Sequence, residues 1–166
     1  MATPIRVLIV DDEALVRVTL GRTIGRQADM LVIGEAGDGP AAIALVEARA
    51  PDVVVMDVTM PGPSGIETAL ELRARGIRTP ILFFTGDPGA VDRAAAIQSS
   101  RVLMKAGGGA AEALAALRQL ASAAVTASMT ARAPAGLSRT RSAAAAASSD
   151  SGSPDIRTMR SAANDG

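Results

Sequence analysis

Val53-Val54-Val55-Met56-Asp57-Val58-Thr59-Met60-Pro61-Gly62 is an unbroken apolar run that stops on a carboxylate and turns at Pro-Gly. Its apolar part shows no alternation of polar and apolar residues, so it reads as a strand covered on both faces. That is the habit of a parallel sheet packed between helices. A carboxylate at the end of such a strand stands where open α/β sheets bind their ligands.

The same punctuation recurs outward from this run. Apolar bursts at residues 5–10, 31–36, 80–85 and 101–104 join residues 52–57 to make five expected strands. Amphipathic stretches separate them. Val16, Leu20 and Ile24 recur at helical spacing, as do Ala42, Leu45 and Val46 after Gly39-Pro40, where Pro suits a first helical position. Ile66, Ala69 and Leu70 form a third stripe that Gly76 is placed to stop. Val91, Ala94 and Ala95 make a weak fourth, and Leu114, Leu117 and Ala121 a fifth. Five strand–helix repeats predict an α/β domain with a doubly wound parallel sheet of five strands and helices on both faces.

Polar residues collect at the expected strand ends. Asp11, Asp12 and Glu13 follow the first strand, Asp57 ends the third, Thr85 the fourth, and Lys105 follows the fifth. Each has an ordinary reading alone. Asp11-Asp12 would serve as acids at a helix N-terminus, Asp57 and Thr85 as turn residues, and Lys105 as a solvated charge. Together they describe a different chemistry. Close carboxylates repel unless a cation joins them, and oxygen donors without His or Cys suit Mg²⁺. A carboxylate can also be the nucleophile that becomes an aspartyl-phosphate. Lys105 is the only lysine in the chain, and an ammonium on a flexible stem is a common phosphate binder.

Composition excludes several alternatives. The 166 residues contain no His and no Cys, which removes disulfides, thiolate chemistry, serine triads and most transition-metal sites. Phe83 and Phe84 are the only aromatics, too few for stacking on single-stranded nucleic acid. Lys and Arg number 17 and Asp and Glu 17, so no net basic charge marks a nucleic-acid surface. The N-terminus carries no signal-peptide pattern and no run reaches membrane-spanning length, so a cytoplasmic protein with no membrane partner is the expectation.

Four segments carry a family resemblance: Val7-Leu8-Ile9-Val10-Asp11-Asp12-Glu13, the run from Val53 to Gly62, Ile81-Leu82-Phe83-Phe84-Thr85-Gly86, and Val102-Leu103-Met104-Lys105. In this order the chain resembles the receiver domain of two-component response regulators over roughly residues 5–124. The resemblance implies a flavodoxin-like sheet of order 2-1-3-4-5 and a phosphorelay function. It implies Asp57 as phosphoacceptor, served by a sensor histidine kinase or histidine phosphotransfer protein. It implies Mg²⁺ held by Asp12, Asp57 and the Thr59 backbone carbonyl, with Asp11 acting through water. It implies that Thr85 and Lys105 bind the phosphoryl oxygens. Homodimers are compatible with it.

The chain also departs from the pattern. Val102 stands where the family usually places an aromatic switch residue, three before the lysine. Ala106 replaces the proline that usually follows the lysine, so a trans bond is expected there. The stretch near Ser99-Ser100 reads as shortened.

Residues 1–125 are thus expected to form the receiver domain, and residues 126–166 an Ala/Ser/Arg-rich tail with too little large apolar content to fold. That tail shows no recognisable output domain. A DNA-binding regulator with a lost or degenerate helix-turn-helix remains the alternative to a module acting through protein contacts.

Overall fold

The computed structural model describes residues 3–107 and 109–131. The element order is β1 (Ile5–Val10), α1 (Ala14–Gly25), β2 (Met30–Ala36), α2 (Gly39–Arg49), β3 (Val53–Met56), α3 (Gly65–Ala74), β4 (Ile81–Thr85), α4 (Val91–Ala95), β5 (Ser100–Met104) and α5 (Ala110–Ala131). All strand pairs are parallel, in the order β2-β1-β3-β4-β5. Each expected strand is present, with ends moved by at most one residue.

Alternation along the strands decides which helices cover which face. Leu8, Val10, Val54, Met56, Ile81 and Phe83 pack with Ala42 and Val46 of α2, Ala69 and Leu72 of α3, and Ala94 of α4. The intervening Val7, Ile9, Val53, Val55, Leu82 and Leu103 pack with Ile24 of α1 and Ala113, Leu114 and Leu117 of α5. Successive strand side chains point to opposite faces, so apolar residues at every position need helices on both. With almost no aromatics, small Ala residues on the helices let aliphatic strand residues fill the two layers.

Local chemistry sets the helix ends. The Asp38 side chain accepts from the Ala41 amide and caps α2, whose first turn holds Pro40. Ser64 and Glu67 form a reciprocal capping box that starts α3. Gly76 takes φ +77° just past α3, as its stop role requires.

Three details differ from the sequence reading. The buried face of α3 is Gly65, Thr68, Ala69 and Leu72, while Leu70 is 55% exposed. The fourth helix is a stub of five residues after a short 3₁₀ turn, and only Ala94 of its stripe is buried. The chain then passes Ser99 at φ 61° to reach β5. The fifth helix, marked in the sequence by Leu114, Leu117 and Ala121, runs past residue 125. It continues to Ala131 with Val125 and Met129 exposed, because Ala, Ser and Thr there extend the turn without needing a core. The rest of the expected tail lies outside the described residues.

Candidate functional site

β1 and β3 are adjacent in the middle of the sheet, and their ends are in register, Val10 opposite Met56. The next residue on each is an aspartate, so Asp11 and Asp57 emerge side by side. The ladder continues just past the strands to hold them: the Asp11 amide donates to the Ala36 carbonyl at 3.1 Å and the Asp57 amide to the Val10 carbonyl at 2.8 Å. On the other side the Lys105 amide donates to the Thr85 carbonyl at 2.8 Å. Backbone hydrogen bonds between neighbouring strands therefore deliver four of the expected site residues to one rim.

Asp11 and Asp57 are almost fully buried, and Asp12 is exposed. The Lys105 ammonium donates to Asp57 Oδ2 at 2.7 Å and to Asp11 Oδ2 at 2.8 Å, and lies 3.9 Å from Glu13 Oε1. The remaining oxygens are also used. Asp11 Oδ1 accepts from the Glu13 amide at 2.9 Å, and Asp57 Oδ1 from the Thr59 amide at 3.3 Å. Burial pushes the Lys105 pKa down, but hydrogen bonds and charge from Asp11 and Asp57 outweigh it and raise the pKa above the ordinary lysine value. Lys105 is thus held as a cation.

Thr85 is fully buried, and its hydroxyl oxygen accepts from the Asp87 amide at 3.1 Å. Val102 lies opposite Phe83 on the face covered by α2, α3 and α4, half-buried against that cluster. An open cleft of about 390 Å³ lies above the carboxylates, lined by Asp12, Glu13, Asp57, Thr59, Gly86, Asp87 and Lys105.

One carboxylate oxygen from each of Asp11, Asp12 and Asp57 lies within 4.8 Å of the others. Three carboxylates against one ammonium leave negative charge beside the cleft. An all-oxygen donor set of this kind fits a hard divalent cation. The residues present therefore fit Mg²⁺.

Two contacts at the site escaped the sequence reading. A Cβ on Gly65 would lie 1.9 Å from the Asp57 carbonyl oxygen, so α3 starts in van der Waals contact with the Asp57 peptide. The pattern Ser-Gly-Ile-Glu at 64–67 is a capping-box signal that could have located this helix start. Arg17 donates to the Asp11 and Asp12 carbonyls, and an arginine in an amphipathic helix gives no signal of such a role.

Comparison with known proteins gives the family. Residues 7–107, more than half of the chain, match the response regulator receiver domain. The chain belongs to the response regulator receiver family. Phosphorylation on aspartate is characteristic of such domains. This receiver is 45% identical over 84 residues to the transcriptional regulatory protein PdtaR of Mycobacterium tuberculosis, covering 51% of this chain and 40% of PdtaR. It is 47% identical over 81 residues to the transcriptional regulatory protein YxjL of Bacillus subtilis, covering 49% of this chain and 37% of that one. The receiver chain thus spans about two-fifths of these curated relatives. Among solved structures, the signal receiver domain of the response regulator NarL from Mycobacterium tuberculosis superposes with a TM-score of 0.67 at 30% identity, covering 73% of this chain and 98% of that one. A LuxR-family response regulator from Aurantimonas sp. superposes with a TM-score of 0.66 at 32% identity, covering 73% and 87%. Among the described residues of the receiver, no helix is long and apolar enough to cross a membrane.

Proposed function

We propose that the chain is a phosphoacceptor in a two-component phosphorelay. Asp57 takes a phosphoryl group from a phosphohistidine on a sensor histidine kinase or histidine phosphotransfer protein. The observation that carries this reading is the pair of buried carboxylates, Asp11 and Asp57, bridged by a single ammonium at the mouth of an open cleft. A carboxylate that faces an open cleft can serve as the nucleophile that becomes an aspartyl-phosphate.

In the transfer, an Asp57 oxygen attacks phosphorus. The new P–O bond forms as the P–N bond breaks, and the electron pair stays on the imidazole nitrogen. Asp12, Asp57 and the Thr59 backbone carbonyl would hold Mg²⁺, with Asp11 acting through water, and the ion would supply positive charge to offset the crowding of carboxylate and phosphoryl oxygens. Lys105 keeps its ammonium beside Asp57 and turns it to a phosphoryl oxygen. The Thr85 hydroxyl donates to another. The domain acts on no substrate but itself, in the cytoplasm, and signals by phosphorylation-dependent protein binding. Incubation with Mg²⁺ and acetyl phosphate should place one phosphoryl group on the peptide holding Asp57. Label that persists on that peptide in Asp57→Asn refutes the assignment.

A second reading rests on the relatives. PdtaR and YxjL are transcriptional regulatory proteins longer than this chain. Nucleic acid would then be the final partner, through a DNA-binding part. A gel-shift assay at two salt concentrations separates the readings, because phosphate-backbone binding weakens steeply with salt.

A further inference from the structure

We propose that Arg17 is a positioning residue for metal binding, acting through the backbone of Asp11 and Asp12. The inference rests on the Mg²⁺ site proposed above. Its starting point is an asymmetry among the three acids. Lys105 holds the Asp11 and Asp57 carboxylates, and the Glu13 and Thr59 amides fix their second oxygens. Among the described residues, no hydrogen bond or ion pair holds the Asp12 carboxylate. Its direction is set by its backbone alone.

That backbone has left the sheet. β1 ends at Val10, and the Asp11 amide makes the last ladder bond. The loop carbonyls need another partner, and Arg17 supplies it. One guanidinium nitrogen, Nη1, donates to the Asp11 carbonyl at 2.7 Å and to the Asp12 carbonyl at 3.3 Å. Charge-assisted bonds of this kind are stronger than neutral ones, and two on successive carbonyls fix both peptide planes. Once those planes are fixed, so are the Cα–Cβ directions of the two acids.

The arm itself is braced. Arg17 Nε lies 3.4 Å from Glu35 Oε2 on β2, and the Arg17 side chain is only 22% exposed. Two glycines leave the room. A Cβ on Gly21, one turn along α1, would sit 3.5 Å from Glu35 Oε1, and a Cβ on Gly37 would sit 3.6 Å from Arg17 Nη1. A methyl at either position would thus just touch the pair. The chain of contacts is therefore Glu35 to Arg17 to the Asp11–Asp12 peptides, ending at the one acid with no other restraint. Outer groups that orient metal ligands commonly matter about 10–100-fold in affinity.

The test uses the full chain with Mg²⁺ alone, followed by calorimetric or amide-shift titration. Arg17→Met should raise the Mg²⁺ Kd about tenfold, whereas labelling by acetyl phosphate at saturating Mg²⁺ should fall no more than about threefold. Arg17→Lys, which keeps the charge but loses the fork, should recover part of the affinity. In an Asp12→Ala background, Arg17→Met should add little, because its effect runs through Asp12. Glu35→Gln, which leaves Arg17 in place, gives a milder form of the same defect if Arg17→Met does not fold. An unchanged Mg²⁺ Kd in folded Arg17→Met, or in Glu35→Gln should Arg17→Met not fold, overturns the proposal. So does an Arg17→Met effect of full size on top of Asp12→Ala. A wild-type chain that binds no Mg²⁺ overturns the site reading itself.

Discussion

The Lys105 ammonium sits 2.7 Å from Asp57 Oδ2, between two buried carboxylates that have no other cationic partner among the described residues. Removing that charge should therefore destabilise the domain and make it hungrier for a cation. Lys105→Met should melt below the wild type, and millimolar Mg²⁺ should raise its Tm by more than it raises the wild type's. Equal shifts in the two proteins would show that the ammonium and the divalent ion do not compensate the same charge.

The raised Lys105 pKa has a pH signature. The folded protein holds this proton more tightly than the unfolded chain, so its contribution is fully present below the unfolded value of 10.5 and is lost as pH rises through the higher folded value. The stability gap between wild type and Lys105→Met should stay level from neutral pH to about that unfolded value, then close. Denaturant melts across that range measure it. A gap that closes well below it would contradict the ion pairing.

Asp12→Ala should raise the Mg²⁺ Kd at least about tenfold, while thermal stability without metal changes little or improves. The carboxylate is exposed and repelled by its neighbours, so its loss costs nothing in packing. Unchanged affinity by titration would mean that the ion is held by other groups.

Gly65→Ala should cost about 3 kcal/mol or prevent folding, since its Cβ meets a main-chain oxygen that cannot step aside. Chemical denaturation gives the number. A cost below about 0.5 kcal/mol would show that α3 can slide away from Asp57 freely.

Val102 has little surface and a stiff χ1, so it lacks the lever that an exposed or buried ring would provide. A phosphoryl mimic with Mg²⁺ should shift amides near Asp57, Thr85 and Gly86 strongly and those of β5 and α5 weakly. Strong shifts across Val102 and residues 110–120 would show a switch that works without its aromatic.

Much of this molecule was legible in the sequence because the informative residues sit at strand ends. A continuous apolar run closed by Asp, Thr or Lys marks both the strand and the rim, and Asp11, Asp12, Asp57, Thr85 and Lys105 all fall there. Helix faces were harder. On α3 the buried stripe includes Gly65 and Thr68, which carry no apolar signal, so Leu70 was mistaken for a core residue. The extent of α5 was missed because Ala, Ser and Thr read alike in a helix and a linker. Arg17 was invisible because its meaning lies in two carbonyls and a carboxylate from β2, and pairwise contacts across the fold leave no local pattern.

The contact between Gly65 and the Asp57 carbonyl has a mechanical consequence. The Gly65 amide is also bonded to the Val58 carbonyl at 2.8 Å, so there is no slack between Asp57 and the first turn of α3. The far end of the helix is anchored too, because Ala69 and Leu72 are buried in the core and Arg73 donates to the Ile77, Thr79 and Gln98 carbonyls. A shift of the Asp57 peptide must therefore either be resisted or move α3 together with its packed neighbours, so the loop between them cannot absorb it as a hinge would.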